Sequence, residues 1–163
     1  MVISLRLVNH NRIYELTHIV KEAFPGGIIS DENPDIVVTS TKDENKIITV
    51  IQKEDTYIEA SFSYNEKENP VTREGHAVCI SFLKCYKKFG DTPVPWGALI
   101  GIRPSKMVSN FINAGFTQEE TTDFLKNDYM ISDEKISLML KTEECENRLL
   151  KSNTSQRESQ GNS

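Results

Sequence analysis

Within the first ninety residues the apolar spacing runs at a period of two, changes to about 3.6, returns to two and ends at 3.6. Residues 2–8 alternate, with Ile3, Leu5 and Leu7 on one face and Ser4 and Arg6 on the other, the pattern of a half-buried strand. Ile13, Leu16, Ile19, Val20 and Ala23 then form a helical stripe. Asn9, His10 and Asn11 stand before it with side chains suited to capping, and Pro25, Gly26 and Gly27 end it. Strand-like runs return at Ile36–Thr39, Ile47–Gln52 and Tyr57–Tyr64. The last of these places Ile58, Ala60, Phe62 and Tyr64 opposite Glu59, Ser61 and Ser63. Short polar breaks at Lys42–Asn45 and Lys53–Asp55 suit antiparallel neighbours. Thr72–Phe89 is helical again, with Val78, Cys79, Phe82, Cys85, Tyr86 and Phe89 along one side. The order βαβββα predicts an α+β domain over residues 1–90, a small, mostly antiparallel sheet with helices on one face.

Beyond Gly90 the pattern changes to a short three-helix segment over residues 91–150. Pro104 suits the first position of a helix, where a missing N–H costs nothing, and Met107, Val108, Phe111 and Ile112 give that helix its inner side. Gly115 stops it. Thr117 and Glu120 match a capping box for a second helix with Phe124 and Leu125 inward. Ser132 caps a third carrying Ile136, Met139 and Leu140. Residues 151–163 hold no apolar side chain, so disorder is expected there.

A net charge of −5 argues against general nucleic-acid binding, since many phosphates cannot be neutralised at once. No apolar run approaches the roughly 20 residues needed to cross a bilayer, and no export signal opens the chain, so a cytoplasmic location with no membrane partner is expected. Three cysteines without an export signal read as reduced thiols. Cys79 and Cys85 lie on one apolar stripe, Cys145 is remote, and no Cys pair or triplet has metal-ligand spacing; buried core thiols and no metal site are expected. His10, His18 and His76 have no paired ligand or nucleophile spacing, so no catalytic residue is assigned. Asp43–Glu44 and Glu143–Glu144 read as solvated faces.

One segment combines an aromatic residue, two glycines, a helix-starting proline and two cations: Trp96, Gly97, Gly101, Arg103, Pro104 and Lys106. Two readings are open. In one, the free N–H groups of a helix N-terminus together with Arg103 and Lys106 hold a carboxylate or phosphate, making Trp96, Gly97, Gly101, Arg103 and Lys106 ligand-binding candidates. In the other, Trp96 plugs a packed corner and the glycines allow close backbone approach.

The run Trp96-Gly97-Ala98-Leu99-Ile100-Gly101-Ile102-Arg103-Pro104-Ser105-Lys106 closely resembles the W-G-x-L-x-G-I-R-P-T/S-K signature of HemZ-type coproporphyrinogen dehydrogenases, oxygen-independent coproporphyrinogen III oxidase-like members of the radical-SAM superfamily. The similarity continues through Gly115–Glu120 and through Leu125–Lys135, which resembles a K-x-D-Y-x-I/V-x-x-E-K stretch before the catalytic barrel of those proteins. Residues 95–140 carry the resemblance, whereas residues 1–90 match only in length and element order. The resemblance implies an N-terminal, non-catalytic portion of an oxidoreductase of porphyrin (haem) biosynthesis, with a radical-SAM catalytic domain as its partner, normally in the same chain. In the family that domain holds a [4Fe-4S] cluster on a C-x-x-x-C-x-x-C loop and uses S-adenosylmethionine. None of Cys79, Cys85 or Cys145 matches that loop, so no cofactor is expected in this chain, which is expected to be inactive alone. A truncated gene product and a free-standing module are both open origins. As a free-standing module it would bind an anion, such as a carboxylated tetrapyrrole, or serve a separate radical-SAM chain.

Overall fold

A computed structural model describes the backbone of residues 1–90 and 92–161 and the side chains of 1–90 and 92–150; the disorder expected over 151–163 lies outside the described side chains. The first half contains β1 (Val2–Val8), α1 (Ile13–Ala23), β2 (Ile28–Ile29), β3 (Ile36–Asp43), β4 (Lys46–Lys53), β5 (Thr56–Ser63) and α2 (Glu74–Phe89). The second contains α3 (Pro104–Asn113), α4 (Gln118–Asp123), a π-helical turn (Phe124–Asp128) and α5 (Asp133–Gly161).

The fold is α+β, as the spacing of apolar residues implies, with the five strands in the order β2-β1-β3-β4-β5. β3, β4 and β5 are antiparallel neighbours joined by two-residue connections. β1 pairs in parallel with β3, Ile3 opposite Ile36 through Val8 opposite Thr41, and in parallel with the two-residue β2. The sheet is therefore mixed. α1 carries the chain back to the end where β1 began, which forces the next strand to run parallel to β1. Neither β2 nor that parallel pairing has a signal in the apolar spacing.

One face of the sheet is covered by α1 and α2, which also pack on each other. Ile3, Ile36, Val38, Ile47 and Ile51 point into this layer and are fully buried. Each such side chain contributes about 1.5–3 kcal/mol relative to exposure. A polar pair sits among them. The Ser81 hydroxyl of α2 donates to the Ile47 carbonyl at 2.9 Å, so Thr49, 2.8 Å away on β4, donates its own proton to Ser81. Both hydroxyls are thereby satisfied, which removes the penalty of burying them.

The ends of the helices follow local chemistry. Pro104 opens α3, and Gly115, at φ 100°, closes it. Thr117 Oγ1 accepts from the Glu120 N–H while Glu120 Oε1 accepts from the Thr117 N–H, each at 3.1 Å, which is the capping box expected there. Ser132 Oγ accepts from the Lys135 N–H at 3.3 Å at the start of α5. Two details differ from expectation. No side chain caps α1, because His10 is drawn to β3 instead. Ile112 is 39% exposed, while Met107, Val108 and Phe111 fill the inner side of α3.

Candidate functional site

The stretches around Trp96 and Tyr129 lie 33 positions apart in sequence and form one seam. The Ala98 N–H donates to the Tyr129 carbonyl at 2.8 Å, and the Ser132 N–H donates to the Pro95 carbonyl at 3.0 Å. Gly97 makes this approach possible. Its φ is 54°, and a Cβ there would stand 2.1 Å from the Tyr129 oxygen and 2.7 Å from the Met130 carbonyl carbon. Met130 itself has φ 58°, in the left-handed region that side chains disfavour. Trp96 is half-buried, with Lys135 Nζ 5.2 Å from its ring centroid.

Tyr129 then ties this seam to α2. The π-helical turn closes with the Tyr129 N–H donating to the Phe124 carbonyl, five residues back, and delivers the ring into the core, where it is fully buried. Its hydroxyl is 2.8 Å from Thr72 Oγ1 and 3.2 Å from His76 Nδ1, and Asn69 Nδ2 donates to Thr72 at 2.9 Å. A single direction satisfies the chain: Asn69 donates to Thr72, Thr72 to Tyr129, and Tyr129 to a neutral His76 with its proton on Nε2. Burial pushes the Tyr129 phenol well above its ordinary value.

Burial likewise holds the His76 imidazole below its ordinary pKa of 6.5. The unfolded chain therefore takes up a proton first as pH falls, and stability drops as pH falls below about 6.5 towards the folded value. His10 is lowered by burial too and acts in the same direction. Denaturant unfolding at pH 7.5, 6 and 5 is expected to show this loss, and His76→Gln is expected to flatten it; an unchanged slope in the variant would remove His76 as its source.

The expected ligand-binding residues divide between two places. Trp96 and Gly97 belong to the seam. Gly101, at φ 76° and exposed, has nothing within 4 Å of a Cβ position. Arg103 is the residue before α3, its side chain 74% exposed and 3.8 Å from Glu146 of α5. Glu146 also accepts from the Ser105 hydroxyl at 3.1 Å, so a carboxylate of the chain itself stands beside the α3 N-terminus. Lys106 is exposed.

A second polar cluster was not foreseen as a group. His10 Nδ1 accepts from the Arg12 N–H at 3.1 Å, so the neutral ring carries its proton on Nε2 and donates to buried Ser40 Oγ at 2.9 Å. That tautomer cannot take the serine proton, and the pair is not a nucleophile with its base. Glu74 nearby accepts from Lys42 Nζ at 2.8 Å and from Arg12 Nε at 3.3 Å. The Lys42 hydrogen bond, more than any other influence, lowers the Glu74 pKa. Residues from β3, α2 and the segment that leads into α1 meet here, and only the sheet pairing brings them together.

Cys79 and Cys85 are buried core thiols, but Cys145 is exposed on α5, contrary to expectation. Burial raises the Cys79 pKa far above the usual thiol value, and raises Cys85 to about 11. A thiol reagent at neutral pH is expected to label Cys145 quickly and the other two only on unfolding; rapid labelling of all three would show that α2 opens readily. Two helix-buried thiols and one on another helix do not fit the ligand set of an iron–sulfur cluster. Among the described residues no group of three His, Cys, Asp or Glu side chains could hold a metal ion. None of the described helices is long and apolar enough to cross a membrane.

Over 44 residues, 27% of this chain, the sequence is 48% identical to the oxygen-independent coproporphyrinogen-III oxidase-like protein HemZ of Bacillus subtilis (strain 168). The matched stretch covers only 9% of that protein's length. No family model matches the chain. No solved structure matches it.

Proposed function

We propose that this chain is an N-terminal, non-catalytic portion of a coproporphyrinogen oxidase-like protein of porphyrin biosynthesis, acting by docking with a radical-SAM catalytic region. The 48% identity over 44 residues to the HemZ protein carries this reading. The seam adds physical support. The Trp96–Ala98 and Tyr129–Ser132 stretches that resemble the HemZ-type signature are spent on fixing the helical segment to α2, which is a structural use of those residues. On this reading the [4Fe-4S] cluster and S-adenosylmethionine belong to the partner region. Along α5, Leu138 and Leu149 are exposed at 49% and 65%, and their eleven-residue spacing puts them on one side of the helix, a surface suited to a packing partner.

Co-expression with the catalytic region of the Bacillus HemZ protein tests this. A stoichiometric complex is expected, with binding lost in the Leu138→Asp, Leu149→Asp double variant. Separate elution of two folded chains at micromolar concentration would reject the docking role. An anion module at Gly101, Arg103 and Lys106 is a second reading, which Glu146 disfavours by standing beside Arg103 and Ser105. It predicts that Arg103→Ala, Lys106→Ala weakens binding of a carboxylate-bearing ligand; unchanged affinity would discard it.

A further inference from the structure

β5 is the edge strand of the sheet, and an open cleft of about 700 Å³ wraps over that edge, from the flank of α2 on one face to Lys46, Ile48 and Ser61 on the other. Four lysines line this cleft: Lys46 from β4, and Lys84, Lys87 and Lys88 from α2. Ile48, Ala60 and Met130 give it an apolar part, and Glu59 contributes its lining carboxylate. The charge balance here is opposite to that of the whole chain, which carries −5.

Among the described residues none of the four ammonium groups makes an ion pair, whereas Lys42 pairs with Glu74 and Lys126 with Asp133. Lys88 Nζ donates to the Glu59 carbonyl at 3.2 Å, and Lys84 Nζ stands 5.0 Å from the Phe62 ring centroid. Lys84 also favours the charged form of Asp128, on the π-helical turn, against the burial that raises that carboxyl's pKa. Helix polarity accounts for part of this grouping, since Lys87 and Lys88 occupy the last turn of α2, where cations are favoured. It does not account for Lys46, which arrives from a strand. Nor does it account for Met130, which the seam holds at φ 58° at the same cleft. Such backbone strain persists only where the surrounding structure imposes it, and it concentrates at working sites.

We propose that this cleft binds a small organic anion carrying at least two oxyanion groups on an apolar body. Flexible ammonium groups suit phosphate, carboxylate or sulfonate oxygens as point charges. The volume is that of a small-molecule site, and an unbranched methionine adapts to the ligand's apolar part. The site shares no residue with the α3 N-terminus. It does not rest on the similarity to HemZ.

The test is a fluorescence titration of the full chain with bis-anilinonaphthalene disulfonate, which carries two sulfonates on an apolar body. Phenylnaphthylamine, with similar rings and no sulfonate, is the uncharged counterpart. At low salt the disulfonate is expected to bind at least about tenfold more tightly than the neutral probe, and to lose about tenfold in Lys84→Glu, Lys87→Glu. Lys21→Glu, Lys141→Glu makes the same charge change on α1 and α5, at exposed positions that do not line the cleft, and is expected to alter affinity less than about twofold. Should the charge-reversed chain not fold, Lys84→Ala, Lys87→Ala serves in its place, read against Lys21→Ala, Lys141→Ala. Equal losses in the cleft and control pairs, or equal affinity for the neutral probe, would overturn the proposal.

Discussion

Replacing Gly97 by alanine is expected to destabilise the chain by about 3–5 kcal/mol, the sum of left-handed strain, overpacking and a weakened hydrogen bond. The φ of 54° alone does not require so much; the added methyl carbon would sit 2.1 Å from the Tyr129 carbonyl oxygen. Relief requires the seam to part, and with it the bond from the Ala98 N–H to that oxygen. Gly101 is the internal control. Its φ of 76° is as unfavourable for alanine, yet nothing lies within 4 Å of the new atom, so Gly101→Ala is expected to cost only about 1–2 kcal/mol. Urea unfolding followed by the fluorescence of Trp96, the chain's single tryptophan, reports from the seam itself. Equal midpoints for the two variants would show that contact with Tyr129 is not what requires glycine at position 97.

Tyr129→Ala is expected to cost about 3–5 kcal/mol, because a fully buried ring leaves a cavity that the surrounding helices fill only in part. The ring also meets Phe111 and His76 edge-on, at centroid distances of 6.1 and 5.5 Å. Tyr129→Phe separates the two contributions. It keeps the ring and removes the hydroxyl between Thr72 and His76, at an expected cost of about 1–2 kcal/mol. Adding Thr72→Val to Tyr129→Phe is expected to cost less than the two single changes together, since the hydroxyls are partners. Full additivity in that cycle would mean that the two groups act independently. A phenylalanine variant as unstable as the alanine one would place the energy in the hydrogen-bond chain rather than in packing.

Much of the fold was legible in the order of residues because period and capping are local properties. Ile3, Leu16, Val38 and Ile51 follow their strand or helix spacing into the core, and Thr117 with Glu120 forms the capping box their types imply. The same locality made Trp96 to Lys106 stand out, since one aromatic residue, two glycines, a proline and two cations in so short a run suit either a packed corner or an anion site. Sequence alone did not say what the corner touches.

That was decided by tertiary structure. Gly97 requires a glycine because of an oxygen on residue 129, and Tyr129 is a buried hydrogen-bonding group because of Thr72, just before α2, and His76 on that helix. Ser40 is paired with His10 only because β3 lies beside β1, and Glu146 reaches the α3 N-terminus only because α5 packs on α3. Lys46 joins three lysines of α2 at one cleft by the same kind of convergence. The amino-acid order therefore determined which residues form helices and strands and which faces are apolar, since those depend on neighbours a few positions away. The partners of its polar and glycine residues depend on distances between elements, and only the packed chain sets those distances.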